Sequence, residues 1–153
     1  MDDAIVRHVR NVYNVSIGDR TAEEIKLTIG SAAPLEREQE FSVRGRDIVT
    51  GLPKGVTLRT MEVREAISEP IAQIALKIKS VLENTPPELS ADIMERGITL
   101  TGGASSLRGL TEILSQATQV PVRVADDPVA CVALGVGRAL EEARGVTERP
   151  VAR

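Results

Sequence analysis

The sequence predicts an α/β fold around one hydrophobic core, and three observations carry that expectation. Apolar residues recur with helical spacing in some stretches and with two-residue spacing in others, so both element types are expected. The 153 residues are 42% apolar and 27% charged, the balance of a globular chain. A chain of that length can bury roughly 70% of the surface it exposes when unfolded. Finally, the apolar run Ile98-Thr99-Leu100-Thr101 meets Gly102-Gly103 and then a helical pattern, which reads as a strand turning into a helix.

The elements follow in order. Residues 2–13 form a helix, with Asp2 or Asp3 able to cap it and Ile5, Val9, Val12 and Tyr13 on one face. Gly18 and Asp19 break the pattern. Thr21 with Glu24 reads as a capping box, starting a helix at Ala22 that carries Ile25 and Ile29 and stops at Gly30. After a loop over 31–37, Phe41 and Val43 alternate with Ser42 and Arg44 as a strand. A turn is expected at Arg44–Asp47, and a second short strand at Val56–Arg59. Met61 to about Asn84 is the longest helical pattern, its stripe of Ile67, Ile71, Ile74, Ile78, Val81 and Leu82 reading as core. Pro70 should kink or break it. Pro86-Pro87 stops it, and Ser90–Glu95 is a short helix. A helix starting near Ser105 presents Leu107, Leu110, Ile113, Leu114 and Ala117. Val120–Val124 is a strand, and Asp126-Asp127-Pro128 caps a last helix from about Val129 to Ala143. The tail from Gly145 is expected to fray.

Composition excludes several function classes. Nineteen Lys and Arg against 22 Asp and Glu leave a net charge of −3, a poor match to a phosphate backbone. Tyr13 and Phe41 are the only residues among Phe, Trp and Tyr, too few for base-stacking platforms. The single Cys131 and single His8 exclude an internal disulfide and cysteine- or histidine-rich metal sites. The acidic Met1-Asp2-Asp3 start is unlike a signal peptide, and no apolar run is long enough for a membrane helix. A soluble, cytoplasmic protein without nucleic-acid partners is expected. His8 reads as a helix-surface residue and Cys131 as core.

The strand–Gly-Gly–helix segment carries the most information. Glycines let a ligand approach the main chain, and a helix N-terminus offers free N–H groups to an anion. Nothing here matches the GxxxxGK[ST] pattern, so a P-loop is excluded. Two readings stand, a plain βα turn and a nucleotide-facing turn. Arg108, close behind it, faces either a phosphate or solvent.

Longer stretches carry a resemblance to a known family. Thr21-Ala22-Glu23-Glu24-Ile25-Lys26, followed by Ile29-Gly30-Ser31-Ala32, is similar to the TAE-x-IK…IGSA stretch of the bacterial actin MreB family. Val43-Arg44-Gly45-Arg46, Gly51–Gly55, Glu69-Pro70, Thr85–Leu89, Asp92–Gly97, Leu100–Gly103 and Asp126–Pro128 continue the resemblance in register. It covers residues 2–143, nearly the whole sequence.

The resemblance implies an incomplete actin-like (ribonuclease H-like) ATPase second lobe with a small α+β outer subdomain. Residues 1–30 and 86–143 correspond to part of the large subdomain, 31–85 to the outer subdomain, and 144–153 to a flexible tail. It implies a truncated cell-shape cytoskeletal protein with a residual ATP half-site at Glu23, Lys26, Gly102, Gly103, Ala104 and Ser105. The family's TGGG turn reads Thr101-Gly102-Gly103-Ala104 here, and its DxGT-like and DxGGGT-like phosphate hairpins do not occur. ATP with Mg²⁺ is therefore expected to bind weakly or not at all, and no catalytic residue is expected. Self-association, or binding to filaments of full-length MreB-like proteins, is the implied partnership, with no membrane-contacting segment. The alternative reading is a non-catalytic interaction module that caps or modulates such filaments, or a nonfunctional remnant.

Overall fold

The computed structural model describes residues 1–147. Helix α1 (Asp2–Tyr13) leads through β1 (Val15–Ser16) to α2 (Asp19–Ile29), then to the hairpin β2 (Glu40–Asp47) and β3 (Pro53–Arg59). Helix α3 (Thr60–Glu83) is the longest element. After it come α4 (Pro87–Arg96), β4 (Ile98–Leu100), a 3₁₀ turn (Gly103–Ser106), α5 (Leu110–Thr118), β5 (Val122–Val124) and α6 (Cys131–Thr147).

The strands form two sheets. One is antiparallel in the order β1-β2-β3, with Val15 opposite Asp47 and Val43 opposite Val56. The other pairs β4 with β5 in parallel, Ile98 opposite Val122 and Leu100 opposite Val124. The first sheet turns its apolar side to the helices. Val15, Val43, Val56 and Leu58 are buried with Ile5 and Val9 of α1, Ala22, Ile25 and Ile29 of α2, Val63 and Ile67 of α3, and Leu110 and Leu114 of α5. Burial is the main favourable term, and it concentrates here. Helix α4 contributes no buried residue.

Several local expectations are corrected. Met1, not Asp2 or Asp3, stands at the α1 N-cap, with no side-chain cap; Asp2 turns instead to Lys26. Helix α2 begins at Asp19 rather than after Thr21, because the Ala22 N–H already bonds the Gly18 carbonyl at 3.1 Å. Arg44–Asp47 is strand, not turn: Gly45 pairs with Lys54 and Arg46 with Pro53. The turn falls beyond Asp47, whose Oδ1 accepts the N–H groups of Val49 and Thr50 at 2.8 and 2.9 Å.

Helix α3 runs unbroken through Pro70. Proline removes one N–H, but Val63 and Ile67 before it and Ile71 and Ala75 after it are buried in one core, which holds both halves in line. The stripe is only half core. Ile74 and Val81 are exposed, and Ile78 is partly buried. Helix α4 extends the expected Ser90–Glu95 to begin at Pro87, a residue preorganised for the first helical position.

No α-helix opens at Ser105. The chain makes a single 3₁₀ turn, and α5 starts at Leu110 behind Gly109 at φ 73°. A Cβ at Gly109 would stand 2.6 Å from the Ala33 Cβ, so tertiary contact sets this break. Helix α6 starts at Cys131, two residues beyond the expected Val129. Before it, the Asp127 carboxylate accepts the Ala130 N–H at 3.1 Å. Cys131 is half-buried rather than core, its thiol donating to the Asp127 carbonyl. His8 is also half-buried, with Nε2 enclosed and no hydrogen-bond partner among the described residues. Of the expected tail, Gly145–Thr147 belong to α6 and 148–153 lie outside the described residues.

Candidate functional site

A shallow pocket of about 50 Å³ lies where the C-terminal half of α2 meets the glycine turn. Lys26, Leu27 and Gly30 line one side, and Gly103, Ala104 and Arg108 the other. The junction is made by backbone. Ser31 pairs with Arg108 as an isolated parallel bridge, and the Ala32 N–H donates to the Arg108 carbonyl at 2.7 Å. Ser31 is fully buried, its hydroxyl donating to the Ala33 carbonyl at 2.7 Å. A buried hydroxyl needs such a partner, and the same hydroxyl also lies 3.4 Å from the Arg108 carbonyl, across the junction.

The Lys26 ammonium is held by Asp2, with Oδ1 and Oδ2 at 2.9 and 3.0 Å from Nζ. Two successive turns of backbone also shape the other wall. The Gly102 N–H donates to the Pro128 carbonyl at 2.6 Å, and the Gly102 carbonyl accepts both the N–H and the hydroxyl of Ser105. A Cβ at Gly102 or Gly103 would meet nothing within 4 Å, so the main chain is bare on that side.

Of the six residues expected at the site, Lys26, Gly103 and Ala104 line the pocket. Ser105 is buried behind the turn with its hydroxyl engaged, and Gly102 anchors it. Glu23 is exposed on α2 and does not line the pocket. Arg108 is neither aimed at a phosphate nor simply solvated: its guanidinium donates to the Thr28 carbonyl and to Gln39 Oε1. The sequence reading missed Asp2 as the partner of Lys26. No sequence signal marks that contact, since Asp2 and Lys26 sit on different helices 24 positions apart.

The residues present fit one side of a nucleoside. Bare glycine backbone allows close approach, and a partly buried lysine stands opposite. The volume, little above that of one or two waters, admits an edge rather than enclosing a base.

Solved structures that share this architecture are actin-like, which sets the class of this α/β protein. Its relatives narrow the class. A profile of the MreB/Mbl protein family matches residues 1–148. The cell shape-determining protein Mbl of Bacillus subtilis is 46% identical over 140 residues, covering 92% of this chain and 42% of Mbl. The cell shape-determining protein MreB of Escherichia coli is 49% identical over 140 residues, covering 92% of this chain and 40% of MreB. Among solved structures, MreB5 of Spiroplasma citri bound to ADP matches with a TM-score of 0.91 and 36% identity, over 97% of this chain and 45% of that one. The chain belongs to the MreB/Mbl family. It spans about two fifths of the length of these curated relatives.

Proposed function

We propose that this chain supplies the adenosine-facing part of a cell shape-determining, actin-like filament protein, and that it does not hydrolyse ATP by itself. The observation that carries this reading is convergence: Lys26 and Gly103-Ala104, far apart in sequence, meet at one pocket. The ADP-bound MreB5 structure supports a nucleotide as the guest. In this reading Lys26 and the Gly102-Gly103 backbone hold the nucleoside side of ATP, with Ala104 against it and Ser105 bracing the turn. Glu23 would reach the ligand only from the rim. ATP brings its own triphosphate and the Mg²⁺ that neutralises it. The sequence contains neither DxGT-like nor DxGGGT-like hairpin, and positioned phosphates are what phosphoryl transfer requires.

In this reading 1–30 and 86–143 are the large-subdomain part, with the β4–β5 pair, and 31–85 the outer subdomain, with β2 and β3; β1 of the first part reaches across to pair with β2. Among the described residues no helix is long and apolar enough to cross a membrane, and a cytoplasmic filament role is the reading we favour.

A thermal melt with and without millimolar Mg-ATP tests the proposal. At 100 times Kd a ligand of the folded state adds about 2.7 kcal/mol. For a chain of this length that is a rise of roughly 5–11 °C. Lys26→Ala should abolish most of the rise. No rise with the parent chain at any millimolar nucleotide would end the proposal.

A second reading, a module that caps or modulates filaments of a complete relative, is favoured by the exposed apolar residues Val49 and Leu52 at the β2–β3 turn. Co-sedimentation with such filaments, lost on Leu52→Ser, is its expected signature. Unchanged filament mass and length in the presence of the chain would reject it.

A further inference from the structure

Both cations at the pocket beside α2 have partners within the chain. The Lys26 ammonium stands 2.9 and 3.0 Å from the two carboxylate oxygens of Asp2, and its side chain is only 12% exposed. A partly buried pair is weakly screened, so Asp2 cancels the charge that Lys26 would present to an anion. Two of the three ammonium N–H groups serve that carboxylate, which leaves one for a guest. Arg108 directs its guanidinium to the Thr28 carbonyl and, at 3.0 Å, to Gln39 Oε1; the residue is exposed, so solvent screens its charge. The backbone is no friendlier to an anion. Lys26, Leu27 and Gly30 belong to the last turn and C-cap of α2, the end of a helix that carries partial negative charge. Glu23, one turn earlier, adds a full negative charge at the rim. Nor does the glycine turn bring the helix N-terminus that its sequence suggests: Gly103–Ser106 is a single 3₁₀ turn, and α5 opens only at Leu110.

We propose that this pocket selects an uncharged ligand edge, that of a nucleoside, over a phosphate-bearing one, and that Asp2 is the residue that sets the preference. The inference rests on the proposed nucleotide binding and deepens it. Without Asp2, the Lys26 ammonium would be a partly buried, unpaired cation beside bare glycine backbone, a ready site for a phosphate oxygen. With Asp2, a phosphate meets a neutral pair and the negative end of α2, and added phosphate charge brings no gain. A sugar hydroxyl or ring nitrogen needs only the remaining Lys26 N–H. This chain therefore holds adenosine at least as tightly as ADP.

The test titrates the whole chain with adenosine, AMP and ADP, without Mg²⁺, following amide shifts by NMR at low and at high salt. The parent should bind adenosine at least as tightly as ADP, with affinities that change less than about twofold between the two salt conditions. Asp2→Asn should favour ADP over adenosine by about fivefold or more at low salt, and the gain should fade at high salt. Asp2→Ser, equally neutral, should behave alike if asparagine unsettles the start of α1, and Asp2→Glu should restore the parent preference. Asp92→Asn makes the same charge change on α4, outside the pocket lining, and should leave the preference in place. The proposal is overturned if the parent binds ADP about tenfold more tightly than adenosine, or if folded neutral variants of Asp2 keep the parent ratio. A parent chain that binds none of the three ligands is a different result: it ends the nucleotide reading itself, and this inference with it.

Discussion

Truncating α3 at three positions separates the buried part of its apolar stripe from the uncovered part. Ile67 is 0% exposed inside the main core. Ile67→Ala deletes three carbons, a transfer loss of about 2.4 kcal/mol at roughly 0.8 per buried methylene. If about 40 Å³ stays open, cavity formation adds about 1 kcal/mol. The better helix propensity of alanine returns about 0.4, leaving a net loss of about 3 kcal/mol. Ile74 is 38% exposed; only about three fifths of its transfer loss applies and no closed cavity forms, so the net loss is about 1 kcal/mol. Val81, 66% exposed, loses about 0.5 kcal/mol of burial, and the propensity gain cancels it. Urea unfolding reads the series directly, with midpoints shifting at constant m-value. In melting temperature the Ile67→Ala loss corresponds to roughly 6–12 °C. A loss at Val81 equal to that at Ile67 would refute the reasoning, because it would require a cover over the distal half of α3 that the fold does not provide.

Three other predictions follow from single contacts. Gly109→Ala places a Cβ at φ +73° and 2.8 Å from the Ala33 backbone nitrogen. It should cost at least about 1–2 kcal/mol in a melt, and it should reduce any nucleotide-induced rise by loosening the pocket wall. Tyr13 is the sole tyrosine and the chain has no tryptophan, so ultraviolet titration reads one phenol. Its hydrogen bond to Glu62, with some help from burial, pushes it up from 10.0 to about 12. The contact therefore stabilises the fold below pH 10 and is lost as pH rises through about 12, and Glu62→Gln should return the titration towards 10.0. The Asp47 carboxyl is held down from 3.8 to about 2, first by the Thr50 N–H and then by Lys54. Its contribution is present above pH 3.8 and fades as pH falls towards 2. Lys54→Ala should raise the carboxyl only partway in a carbon-13 titration, since the turn N–H groups remain; a return to 3.8 would show that the lysine alone does the work.

Much of this fold was legible because local chemistry and tertiary packing agree. The Ile5–Val9 spacing of α1, the Phe41–Val43 alternation of β2 and the run Ile98–Leu100 each produced the expected element. Where the reading failed, either a partner distant in sequence or a competing local bond overrode the rule. Asp2 looked like a helix cap and became the counterion of Lys26. Thr21 and Glu24 looked like a capping box, yet the helix had already begun at Asp19. Pro70 looked like a break, and core contacts on both sides of it kept α3 continuous. At the candidate site, Lys26, Gly103 and Ala104 were legible as individual residues. The strap through Ser31 and Arg108 that brings them to one pocket was not, because a single backbone bridge leaves no periodic trace.

By itself the sequence determined most of the element types, the α/β class and, through matched stretches from Thr21 to Pro128, the MreB/Mbl family. Those properties depend on spacing and residue type along the chain, which a one-dimensional pattern carries in full. The tertiary structure decided which apolar stripes are core and which are left bare. Ile67 and Ile71 are buried while Val81, Val132 and Leu140 are not, although all recur with helical spacing. Burial depends on what lies opposite a face, and that neighbour is set by long-range packing rather than by the residues of the face itself.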